Sequence, residues 1–95
     1  MANFVLSCLD KSDGLALRLG SRQAHLAYVR AQPQGFVLLA GPFLDDAGEM
    51  CGSLFIIEAP DIESVRAFSA ADPYVSAGLF QSVEIRPWRA AIYPP

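Results

Sequence analysis

The chain has 95 residues, 53% of them hydrophobic, and seven Lys/Arg against ten Asp/Glu give it a formal charge of −3. That length is one domain, residues 1–95, with a core over about 3–90 and a short tail from 91 to 95. The acidic balance excludes a nucleic-acid partner, which would need clustered cations. With no apolar run long enough to cross a bilayer and no basic stretch of a secretory signal, the expectation is a cytoplasmic protein without a membrane partner.

Phe4 to Leu9 reads as a first strand. A helical segment follows from Asp13 to about Ala31, with an inward stripe of Leu15, Leu19, Arg22, Leu26 and Val29. Gly20-Ser21 is a point where it kinks or splits, and Pro33 and Gly35 end it. Phe36 to Ala40 is a second strand, closed by an abrupt bend at Gly41-Pro42-Phe43. Asp45-Asp46-Ala47-Gly48 is a turn, and Gly52 to Ile57 returns as the other arm of a hairpin. Asp61 caps a second helix whose inward stripe is Ile62, Val65 and Phe68. Asp72-Pro73-Tyr74 follows, then a last strand from Leu79 to Trp88 in which Val83 and Ile85 alternate with Ser82, Glu84 and Arg86. The tail from Arg89 to Pro95 is a candidate extra edge strand.

The order β-α-β-β-α-β predicts an α+β fold of ferredoxin-like type, a four-stranded antiparallel sheet with two helices on one face. The middle strands are apolar at consecutive positions, so both of their faces need cover. The helices cover one. A second copy of the chain is the simplest cover for the other, which predicts a homodimer closed into an α+β barrel. The high hydrophobic content points the same way, because a chain of this size buries only roughly 60–65% of its unfolded surface.

His25 is the only histidine. It shares a helix flank with Arg18 and Arg22, a flank that otherwise reads as solvated. With no acid among its helical neighbours, it either packs structurally or takes a carboxylate from elsewhere. Asp72, at the end of the second helix, is the leading partner and would orient the ring for acid–base work; alternatively Asp72-Pro73 only caps a turn. Asp10 and Asp13 are rivals. Ser53 and Tyr74 are candidate hydrogen-bond donors to a ligand, Arg22 is the polar exception in the inward stripe, and Gly41 allows a backbone or ligand to approach closely. Trp88 is a candidate interface anchor. Cys8 and Cys51, with one histidine, are too few for a zinc site and read as free thiols in a reducing compartment. No phosphate loop or metal cluster is present in the sequence, and no cofactor is expected.

Taken in order, Asp10-Lys11, Arg22 with His25-Leu26-Ala27-Tyr28, Ala40-Gly41-Pro42, Asp45 with Gly48, Gly52-Ser53-Leu54, Asp72-Pro73-Tyr74 with Ala77-Gly78-Leu79-Phe80, and Pro87-Trp88 resemble the YCII-related family over roughly residues 3 to 90. The resemblance implies a ferredoxin-like fold, a dimeric α+β barrel similar to muconolactone isomerase, and an active-site pair at His25 and Asp72 with Ser53 in the same pocket. Gln23 departs from a common proline and Phe43 from a common leucine; neither touches that pair. The family includes a dehydrochlorinase acting on a chlorinated hydroxyquinol. The implied function is acid–base chemistry of isomerase, lyase or dehydrochlorinase type on a small cyclic or aromatic metabolite. The alternative is a non-catalytic ligand-binding or structural dimeric module.

Overall fold

Phe4, Leu6 and Cys8 alternate with Val5, Ser7 and Leu9, and this two-residue period builds β1 (Ala2–Asp10), which buries the first set and turns the second to the opposite face. The computed structural model, which describes residues 1–94, continues with α1 (Leu15–Arg30), β2 (Val37–Leu44), β3 (Met50–Ala59), α2 (Ile62–Ala70), α3 (Pro73–Ser76) and β4 (Phe80–Trp88). The strands form one antiparallel sheet in the order β2-β3-β1-β4. The expected α+β, ferredoxin-like topology is the observed one, with the single turn α3 added between α2 and β4.

The core lies between the sheet and the helices. Phe4, Leu6 and Cys8 of β1 meet Phe55, Ile57 and Ala59 of β3 and Val65 and Phe68 of α2. Phe68 joins the helices as well as the sheet: Tyr28 stacks on it with ring centroids 5.3 Å apart and donates its hydroxyl hydrogen to the Phe68 carbonyl at 2.8 Å. Truncating a phenylalanine so placed costs about 3–5 kcal/mol. Asp61 caps α2 by accepting from the Ser64 backbone N–H at 2.9 Å, as its position before the apolar stripe predicts.

Gly52 lets β3 come this close to β1. A Cβ there would lie 2.5 Å from the Cys8 carbonyl oxygen and 2.8 Å from the Phe43 ring. The glycine thereby seats the next residue, Ser53, directly across from Cys8 on the helix-covered face.

Three expectations change. The strand expected to stop at Ala40 runs on through Gly41 and Pro42 to Leu44. Pro42 is tolerated because β2 is an edge strand, where a missing N–H need not break a ladder. Helix α1 is unbroken at Gly20-Ser21: Gly20 is exposed and meets nothing, so it costs only about 1 kcal/mol of helix propensity. The tail forms no strand over 89–94, and Pro95 lies outside the described residues.

Leu15, Leu26 and Val29 of the expected stripe are half-buried, and Val29 packs against the core, but Leu19 is 54% exposed and Arg22 is exposed. The inward face of α1 is centred instead on Arg18 and His25, the two buried residues of the helix. The face is turned by somewhat less than the roughly 100° that separates neighbouring residues. Arg18 is therefore not on a solvated flank; it is 2% exposed.

Candidate active site

The rotation of α1 puts a guanidinium and an imidazole, seven residues and about two helical turns apart, against the same side of the sheet. Each meets a carboxylate from another element.

Arg18 reaches back to the end of β1. Its Nε donates to Asp10 Oδ2 at 2.7 Å and its Nη2 to Asp10 Oδ1 at 2.8 Å, a fork-on-fork pair between two nearly inaccessible side chains. Nη2 also donates to Ser53 Oγ at 2.9 Å. Burial alone would lower the guanidinium pKa; the hydrogen bonds and charge of Asp10 outweigh it and raise it, so Arg18 is a fixed cation. Asp10 is thus no rival for His25, because both of its oxygens are spent on Arg18. Asp13 is exposed in the loop before α1.

His25 Nδ1 lies 2.8 Å from Asp72 Oδ1, and both residues are buried at 7% and 2% exposure. Asp72 is the N-cap of α3, and the same Oδ1 accepts from the Tyr74 backbone N–H at 2.9 Å. An oxygen already accepting from an amide accepts from the imidazole too, so in the neutral ring Nδ1 carries the hydrogen and Nε2 keeps its lone pair. The two readings of Asp72-Pro73, a turn cap and a histidine partner, are both true: Pro73 at the first position of α3 fixes the turn, and the cap carboxylate holds the ring.

Tyr74 lies between the Arg18–Asp10 ion pair and the His25–Asp72 hydrogen bond. Its ring stacks on His25 with centroids 3.9 Å apart and planes at 14°, and the Arg18 guanidinium carbon stands 4.6 Å from its centroid. Burial pushes the Tyr74 hydroxyl pKa up, while the charges of Arg18 and Arg22 act in the opposite direction without cancelling it. The phenol therefore keeps its proton at neutral pH.

These side chains border a pocket of about 70 Å³ between α1 and the β2–β3 hairpin. Leu26, Val29, Pro42, Met50 and Phe55 supply apolar wall. Arg18, Arg22, His25, Ser53 and Tyr74 supply the polar wall, and Gly41 lies in β2 at the rim. The structure thus places His25, Ser53, Tyr74, Arg22 and Gly41 on one pocket, with Asp72 behind His25. Sequence reasoning missed the Arg18–Asp10 pair. The signal was available: Arg18 and His25 are seven apart and so share a helix face.

Cys8 lies across the ladder from Ser53, but burial, and then the Asp72 charge, push its thiol up to about 12, so it stays protonated and is not a nucleophile. Cys8 and Cys51 are free thiols.

The model of the YCII-related domain matches residues 2–89. The chain belongs to the YCII-related family. Protein YciI of Escherichia coli O6:H1 is 37% identical over 93 residues, spanning 90% of this chain and 95% of that protein, and a Haemophilus influenzae protein is 30% identical over the same shares. Among solved structures, the YCII fold seen here superposes with a TM-score of 0.83 on 5-chloro-2-hydroxyhydroquinone dehydrochlorinase (TftG) from Burkholderia phenoliruptrix AC1100, in complex with 2,5-dihydroxybenzoquinone. That match has 30% identity and covers 92% of this chain and 93% of the other. An antibiotic biosynthesis monooxygenase, at 16% identity and TM-score 0.59, shares the fold alone.

Proposed function

We propose that this YCII protein is a small-molecule enzyme in which His25 Nε2 takes a proton from a substrate in the pocket and then gives it up, to another atom of the substrate in an isomerisation or to solvent in an elimination. The observation that carries the reading is the imidazole whose Nδ1 is held by a buried carboxylate, leaving Nε2 beside a pocket with one apolar and one polar wall. A base so placed needs its tautomer fixed and its substrate shielded from water. Asp72 supports the first requirement, and the apolar wall supports the second.

The chemistry this supports is cofactor-independent isomerisation or elimination on a small cyclic or aromatic metabolite. The dehydrochlorinase relative makes loss of HCl from a chlorinated hydroxyquinol the first reaction to try. Two further elements belong to the same reading. The free thiols support a reducing, cytoplasmic setting. The sheet face away from the helices carries Val5, Leu39, Phe43, Leu54 and Ile56, with Leu39 70% exposed, and supports pairing with a second copy of the chain.

The test is chloride release from 5-chloro-2-hydroxyhydroquinone, together with solvent-deuterium exchange into a panel of small cyclic ketones and phenols. Wild-type activity lost in His25→Ala and reduced at least about 100-fold in Asp72→Asn supports the reading. A folded His25→Ala protein with undiminished turnover contradicts it, and binding without conversion of any panel member favours a ligand-binding module.

A further inference from the structure

The pocket is rich in hydrogen-bond donors. His25 Nε2 makes no hydrogen bond to any described residue. Yet no buried side-chain nitrogen or oxygen among the described residues lacks a partner. Nε2 therefore touches open space, and the pocket is the space that Arg18, His25 and Tyr74 all line. Ser53 Oγ accepts from Arg18 Nη2, and the Tyr74 hydroxyl is a second hydrogen-bond partner of the guanidinium, so both hydroxyl hydrogens are free to donate. Arg18 can only donate, the two hydroxyls can donate or accept, and the neutral His25 Nε2 accepts.

Charge points the same way. Arg18 is neutralised by Asp10, and a protonated His25 would be neutralised by Asp72. Arg22, on the pocket rim one turn from both, has no ion-pair partner among the described residues. With His25 protonated the local excess is one positive charge; with His25 neutral the Asp72 carboxylate behind the ring balances it, and Arg22 is still the unpaired charge on the pocket wall.

We infer that the substrate is a small organic anion, with a carboxylate or an ionised enol oxygen held by Arg22 and the Arg18–Ser53–Tyr74 donors while its acidic hydrogen faces His25 Nε2. The inference rests on the proposed reaction site and adds to it the class of compound. A donor-rich pocket leaves a neutral, donor-bearing ligand with unpaired groups, whereas an anionic oxygen accepts from several donors at once. The same donors would receive the negative charge that builds on that oxygen when His25 removes a proton from the adjoining carbon, so binding and reaction use one set of contacts.

Furan-2-carboxylate and furan-2-carboxamide are matched in shape and differ in charge. Their dissociation constants are read from NMR titration of the His25 ring signals, which report on the pocket itself. The wild-type protein is expected to bind the carboxylate about ten-fold more tightly than the amide. Arg22→Gln is expected to shrink that ratio to less than about three-fold, and Arg22→Lys to retain part of it. Equal affinities in the wild type, or a ratio that Arg22→Gln leaves intact, overturn the anion inference while leaving the pocket as the site. Ring signals that move with neither probe overturn the reaction site and the inference with it.

Discussion

Replacing Arg18 by methionine keeps most of the side-chain volume and removes its charge. It strands the Asp10 carboxylate, whose side chain is 4% exposed against 2% for Arg18, without either of its fork hydrogen bonds, and leaves Ser53 Oγ without its donor. Breaking one side of a buried pair costs about 3–5 kcal/mol, because the remaining charge loses its partner and does not regain water. The lost contact over Tyr74 adds about 0.5–2 kcal/mol. Against a total stability of about 5–15 kcal/mol for a domain, Arg18→Met should bring the protein close to unfolding at body temperature. Asp10→Asn in the same chain removes the stranded charge, so the double variant should recover at least about 2 kcal/mol of the loss. Urea unfolding followed by circular dichroism measures all four corners of this cycle, with a constant slope on denaturant as the check for two-state behaviour. An Arg18→Met protein within about 1 kcal/mol of wild type, or a double variant as unstable as the sum of the singles, would refute the buried-pair reasoning.

Alkaline stability reports on Cys8. Below about pH 8.5 the thiol is protonated in folded and unfolded chains alike; above it the unfolded chain ionises while the folded one holds its proton up to about 12. The folded pKa is raised, so stability falls as pH rises, by about 1.4 kcal/mol per unit between roughly pH 8.5 and 10. Cys8→Ser should remove that slope whatever it does to stability at pH 7, and an unchanged slope would show that the thiol is not the cause. The proposed dimer predicts sedimentation at twice the 10.3 kDa chain mass at micromolar concentration. Leu39→Asp, on the exposed sheet face, should shift the wild-type dimer towards monomer, and a stable wild-type monomer would refute the pairing.

What was legible in the sequence followed from period and punctuation. The alternation of Phe4, Leu6 and Cys8, the cap at Asp61 and the turn at Asp45 to Gly48 are local signals, and each lies where its chemistry places it. Residues 41–44 were harder, because Gly-Pro reads as a break and only the sheet order reveals that β2 is an edge strand that tolerates proline.

The face of α1 was misread for a functional reason. Apolar residues mark the buried side of a helix whose partner is a plain core, but here α1 packs its polar residues onto the site. Arg18, Ser21 and His25 face inward while Leu17 and Leu19 face solvent. Local patterning fails where a site occupies the interface. The His25–Asp72 contact spans 47 residues and was reachable from topology, since the fold lays α3, which follows α2 directly, beside α1. The Arg18–Asp10 pair was hidden behind the assumption that an arginine flank is solvated.

The central claim is that Asp72 fixes the His25 tautomer so that Nε2 faces the pocket as a base. Because His25 is the only histidine, nitrogen-15 NMR of its side chain reads the claim without assignment ambiguity. At a pH where the ring is neutral, the account predicts a hydrogen on Nδ1, a bare Nε2, and loss of this single-tautomer signature in Asp72→Asn. A neutral ring with its hydrogen on Nε2, or a spectrum that Asp72→Asn leaves unchanged, would contradict it.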